Sequence, residues 1–139
     1  MDKVLVAAKM ENLFDLYQFE TGSISAEQVR CVEVTDALID TGETMVSMPK
    51  RFIDQLGLRP FRKRRILTSA GPGEAQVYDA VRLTVQGRDC TIEVSELPDE
   101  CPVHIGLVPL GLLDFVVDPV GQRLIGNPAH GGEQMIELY

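Results

Sequence analysis

The stretch ALIDTGETMVSMP, Ala37 to Pro49, decides the reading of this chain. Three apolar residues, Ala37-Leu38-Ile39, run directly into Asp40, and Thr41, Gly42 and Glu43 follow. An ionised carboxylate at the end of an apolar run is costly to bury unless something satisfies it. Asp-Thr-Gly is a good turn in its own right, because Asp bonds its own backbone two residues on and Gly accepts positive φ. The apolar run, however, anchors this turn in the core and not at a solvated loop tip. Desolvation and neighbouring charge shift the titration of a carboxylate placed in that way. If a second carboxylate meets it, the two share one proton and titrate as a unit. Such a pair polarises one water: the ionised member accepts its proton while the protonated member donates to a carbonyl oxygen. That is the chemistry of peptide hydrolysis without a covalent intermediate.

The second carboxylate has two sources. Glu43 is three residues away, but a turn does not guarantee that both side chains converge. The chain holds no second Asp-Thr-Gly or Asp-Ser-Gly. Another copy of the same chain is the economical source, since a two-fold axis beside Asp40 brings its twin automatically.

Outward from the turn, short strands dominate. Lys3 to Met10, Val29 to Val34 and Met45 to Met48 read as strands. The segment FDLYQFETGSIS is expected to extend a hairpin, with Thr21-Gly22-Ser23 as its turn. After Pro49 the period changes: Phe52, Ile53 and Leu56 share a helical face, and Gly57 suits the stop. Ile66 to Thr68 and Ala75 to Val85 read as a hairpin around TSAGPGEA. A second hairpin turns at Gly87-Arg88. A strand into Gly106, a short helix around Pro109 to Phe115, and two short strands complete the pattern. The fold class expected is mostly β, a closed barrel or sandwich with one or two short helices.

In this order the motifs resemble the retroviral-type (retropepsin-like) aspartic proteases, and in particular their small single-domain bacterial relatives. The matching features run from Val29 to Pro128: apolar–apolar–Asp40-Thr41-Gly42, a helix ending in QLGL, a hairpin, HIG at His104 to Gly106, LGLLDF, and VVDP. The resemblance implies a closed β-barrel-like acid protease fold that works as a homodimer on a polypeptide substrate. It implies Asp40 as the catalytic aspartate, one from each subunit, with Thr41 bonding across the axis. Gly42 would let the backbone lie close to the carboxylate, and Ile105 and Gly106 would cross behind the active loop. The hairpin at Thr68 to Gln76, with Ser69, Ala70, Gly71, Pro72 and Gly73, would be a flap that closes over an extended peptide.

Three departures stand out. Glu43 follows the motif where such proteases usually carry Ala, Ser or Thr; it would raise the pair's proton affinity if buried, or select basic side chains from a subsite. Pro72 in the flap has no N–H to offer a substrate. The segment Met10 to Gln28 is longer than a compact start needs, as an insertion or as part of a dimer interface. Two other readings therefore stay open: a dimerisation or peptide-binding module of the same fold with little or no hydrolysis, and a plain β-barrel in which Asp40 is only a turn residue.

The bulk properties narrow the field. The chain has 139 residues, 45% of them hydrophobic, enough for one domain with a real core. A net charge of −8 argues against a general nucleic-acid or membrane-surface binder. The basic run RPFRKRR, Arg59 to Arg65, reads as a solvated strand end or edge. Three widely spaced cysteines, Cys31, Cys90 and Cys101, fit reduced thiols in a cytoplasm. The start is too acidic for a signal peptide, and no stretch approaches the roughly 20 apolar residues of a membrane span. The two histidines, His104 and His130, lie far apart without partners at ligand spacing, so no metal and no cofactor is expected, and His104 reads as an ordinary strand residue. The domain is expected over 1–128, with 129–139 as a tail that either adds a dimer strand or frays.

Overall fold

A computed structural model describes residues 3–138; Met1, Asp2 and Tyr139 lie outside the described residues. In chain order the elements are Leu5–Asn12 (β1), Leu13–Glu20 (α1), Cys31–Ile39 (β2), Val46–Pro49 (β3), Lys50–Leu56 (α2), Pro60–Thr68 (β4), Gly71–Val85 (β5), Arg88–Leu97 (β6), His104–Ile105 (β7), Leu107–Leu113 (α3), Phe115–Asp118 (β8) and Arg123–Gly126 (β9). Single 3₁₀ turns occupy Ala26–Gln28 and Pro128–His130.

Seven strands form one sheet in the order β1-β2-β7-β3-β6-β5-β4, and β1 also pairs with β5. That extra pairing closes β1, β2, β7, β3, β6 and β5 into a barrel and leaves β4 outside it as an edge. Closure removes the unpaired edges that an open sheet would expose. The interior follows from alternation: Val81, Leu83 and Val85 of β5 point inward, as do Ile92 and Val94 of β6. Met10, Val46, Met48, Ile105 and Leu113 are fully buried with them, each worth about 1.5–3 kcal/mol of transfer free energy. Strands β8 and β9 form a separate two-stranded sheet.

The expected mostly-β fold is found, with three α-helices in place of one or two. The additional one is α1, where a hairpin arm was expected. Asn12 caps it, its side chain accepting from the Asp15 backbone N–H at 3.0 Å and donating to the Leu56 carbonyl at 2.8 Å. Asp15 is buried in the first turn and is held by Arg30 through Nε at 2.8 Å and Nη2 at 3.0 Å. The Arg30 guanidinium lowers the Asp15 pKa by hydrogen bonding, against the desolvation that would raise it. Thr21-Gly22 is a turn as expected, but it ends this helix, with Gly22 at φ +83°.

The basic run is itself a strand. All of β4 is exposed, and Arg62 and Arg64 reach Glu93 on β6 at 3.7 and 2.9 Å. An edge strand this charged resists pairing with stray chains. The hairpin β4–β5 turns on two residues, Ser69 and Ala70, between Thr68 and Gly71. Gly71, Pro72 and Gly73, expected in the turn, belong to β5 instead, opposite Thr68, Leu67 and Ile66. Proline is accommodated there because β6 joins β5 only from Val77, so the outer side of Pro72 faces no strand.

Residues 133–138 form neither helix nor strand but lie against their own chain. Asp114 accepts from His130 Nδ1 and from the Met135 backbone N–H, and His130 Nε2 meets Glu137 at 2.9 Å. Arg88 donates to the carbonyls of Leu113, Asp114 and Gly132. The Glu137 and Asp114 hydrogen bonds raise the His130 pKa, and the His130 hydrogen bond lowers that of Asp114. The His130 contribution is therefore complete below its ordinary value near 6.5 and is lost as pH rises through the raised one. The Asp114 contribution is complete above about 3.9 and is lost as pH falls through the lowered one. Exchange protection of the Met135 amide, corrected for intrinsic rates, is expected to be greatest between these limits and to fall on both sides. His130→Ala is expected to flatten that profile, and an unchanged profile would show that the clamp does not hold the tail.

Candidate active site

The site is built where β2 ends. Ile39 is buried and Asp40, the next residue, emerges with its side chain 34% exposed. The two-residue strand β7 lies between the ends of β2 and β3, pairing His104 with Leu38 and Ser47, and Ile105 with Ile39 and Val46. The Asp40 backbone N–H donates to the Ile105 carbonyl at 2.9 Å, which fixes where the turn begins. Inside the turn, Gly42 N–H donates to Asp40 Oδ1 at 2.9 Å and Glu43 N–H to the Asp40 carbonyl at 3.1 Å. This is the Asx turn expected from the sequence. Gly42, however, is not at positive φ; its role is space, since a Cβ there would stand 3.2 Å from Asp40 Oδ1. Thr41 is exposed.

Gly106 ties the loop down from behind. Its N–H donates to the Met45 carbonyl at 2.8 Å, Leu107 N–H to Glu43 at 2.9 Å, and Val108 N–H to Thr44 at 2.9 Å. The start of α3 thus spends its free N–H groups on the active loop. A Cβ on Gly106 would meet the Glu43 and Met45 carbonyl oxygens at 2.6 Å, so the crossing requires glycine.

Glu43 does converge on Asp40, and the group between them is His104. His104 Nδ1 lies 2.9 Å from Glu43 Oε1 and 3.5 Å from Asp40 Oδ2. His104 lies in a strand as expected, and its ring adds these contacts beside the turn. Its distance from the motif in sequence hid them, because only the β2–β7 register brings position 104 beside the turn. Atoms of all three side chains lie within 4.8 Å of one another. The 2.9 Å Nδ1–Oε1 contact is a hydrogen bond. Glu43 Oε2 is buried and has no hydrogen-bond partner among the described residues.

Asp40, Thr41, Gly42, Glu43, Ile105 and Gly106 are thus brought together. Ser69, Ala70, Gly71, Pro72 and Gly73 lie apart, at the end of the projecting hairpin, and no hydrogen bond or ion pair among the described residues joins them to Asp40. Thr68 closes that tip locally, its hydroxyl donating to the Gly71 carbonyl at 2.8 Å and accepting from Ala70 N–H at 3.1 Å. Of the three free thiols, Cys90 is pushed up to about 11, chiefly by burial, which leaves it a poor nucleophile.

None of the curated proteins matches the chain. Among solved structures it is similar to the simian foamy virus protease, with 21% identity over 78% of this chain and 93% of that one, at a TM-score of 0.49. Residues 32–112, from β2 through most of α3, match the family described as aspartyl protease, and the matched region contains Asp40, its turn, the hairpin and the Gly106 crossing. The chain belongs to the aspartyl protease family.

Proposed function

We propose that the protein is an aspartic endopeptidase, active as a homodimer, that hydrolyses peptide bonds in extended polypeptide segments. The observation that carries this reading is Asp40 itself: an accessible carboxylate directly after the buried Ile39 that ends β2, on a loop held by the Ile105–Gly106 crossing in a chain of this family. Each chain supplies one Asp40. The two carboxylates share one proton over a water; the ionised member takes a proton from that water, and the protonated member donates to the scissile carbonyl. The water oxygen attacks the carbonyl carbon; as the tetrahedral intermediate collapses, the carboxyl that took the water proton gives it to the departing nitrogen, the C–N bond breaks, and a hydroxyl proton of the intermediate returns to the other carboxylate. The projecting hairpin, carrying Ser69 to Gly73, lies over the substrate and pairs with its backbone. Thr41 bonds its twin across the axis.

A second reading rests on one observation: His104, itself bonded to Glu43, already stands 3.5 Å from the Asp40 carboxylate. In that reading the dimer binds peptides and cuts few or none. No helix among the described residues is long and apolar enough to cross a membrane; the cytoplasmic placement remains part of the proposal, resting on the free thiols.

Both readings predict a dimer by solution mass. The first predicts cleavage of an unstructured polypeptide between about pH 4 and 8, unaffected by chelators. Peptide binding by the dimer without cleavage anywhere in that range would favour the second. A chelator-sensitive activity would contradict the first.

A further inference from the structure

Glu43 has no evident part in a two-aspartate mechanism, yet its backbone and side chain are both fixed. Its N–H bonds the Asp40 carbonyl, its own carbonyl accepts from Leu107, and its Oε1 meets His104 Nδ1 at 2.9 Å. The same imidazole nitrogen stands 3.5 Å from Asp40 Oδ2. While Asp40 and Glu43 are both ionised, neither can donate, so a hydrogen bond to this nitrogen requires that the nitrogen carry the proton. We propose that Glu43 and His104 form a positioning pair for Asp40, in which Glu43 holds the ring with its Nδ1 proton directed at the carboxylates, so that each chain carries its own counter-charge against its half of the dyad.

The arrangement has a physical logic. Two ionised carboxylates on one loop repel each other, and a dimer would double the number. A His104 shared between them offsets that repulsion inside each chain. Its side chain is only 15% exposed, which limits screening by water. The charged groups that contact His104 among the described residues are Asp40 and Glu43; its strand neighbours Leu38 and Ser47 are neutral, and in the dimer the second copy of Asp40 faces the same centre. The pair also accounts for Glu43 at a position where a small residue would have sufficed for the turn.

This inference rests on the reading of Asp40 as half of a dyad. Its first test needs no activity. In ¹⁵N NMR of the imidazole, neutral His104 is expected as the Nδ1–H tautomer in the wild type and as a mixture in Glu43→Gln. Wild-type His104 in the Nε2–H form would overturn the pair. The second test is the pH profile of kcat/KM. His104→Asn keeps a donor but removes the imidazolium charge, so the alkaline limb is expected to move up. Glu43→Gln removes the opposing charge, so the limb is expected to move down. Equal losses at every pH with unmoved limbs would assign both residues a purely structural role and overturn the inference. Where His104→Asn fails to fold, the Glu43→Gln limb and the tautomer decide it. If Asp40→Asn still cleaves, the endopeptidase reading fails; if it is inactive while the limbs stay fixed, only this inference fails.

Discussion

Asp40→Asn is expected to reduce peptide cleavage by at least about 10³-fold while leaving the fold and the dimer intact. In the proposed homodimer one substitution in the gene removes both Asp40 carboxylates, and with them the base proposed to take the proton from water. The fold should tolerate the change because Asn retains the oxygen that accepts from Gly42 N–H, the bond that shapes the turn. Circular dichroism and solution mass would verify the fold and the dimer, and single-turnover cleavage would give the rate. A dimer that cleaves at the wild-type rate would remove Asp40 from the chemistry.

Gly106→Ala is expected to be the most damaging single methyl group at the Asp40 loop. The added carbon meets two backbone carbonyl oxygens, and neither can rotate away as a side-chain end could. Either α3 retreats from the active loop, breaking the three bonds to Glu43, Thr44 and Met45, or the loop is displaced and Asp40 with it. A loss of about 3 kcal/mol in urea unfolding is expected, together with most of the activity. Gly111→Ala is the control. It lies in the same helix with nothing within 4 Å of its would-be Cβ, and should stabilise by about 0.5–1 kcal/mol. Equal effects at the two positions would mean that the crossing behind the loop is looser than the contacts indicate.

Legibility in the sequence followed the range of the forces. The Asp40 turn was legible because an Asx bond spans two residues. Strands β5 and β6 were legible because alternation is local, and α2 because its apolar spacing and Gly57 stop lie within one short window. Helix α1 was missed although Asn12-x-x-Asp15 carries a capping signal. Its exposed Phe14, Tyr17 and Phe19 blur the apolar face, and the Arg30 that holds Asp15 is fifteen residues on. The β4–β5 hairpin turn was displaced by two residues because glycine and proline drew it toward 71–73, while a Thr68 side-chain bond closed it at Ser69-Ala70. The contacts that His104 makes beside Asp40 were not legible. Nothing local marks them, and only the parallel pairing of β7 with β2 carries the residue to Asp40.

The central claim is that Asp40 is half a site, completed by a second chain. Mixing wild type with Asp40→Asn under conditions that let subunits exchange tests this directly, with cleavage measured as a function of the wild-type fraction. If both Asp40 residues are needed, activity follows the square of that fraction and stands at about one quarter when half the chains are wild type. A linear decline to about one half would contradict the account, because it would mean that a single chain, with Glu43 as its second acid, completes the site.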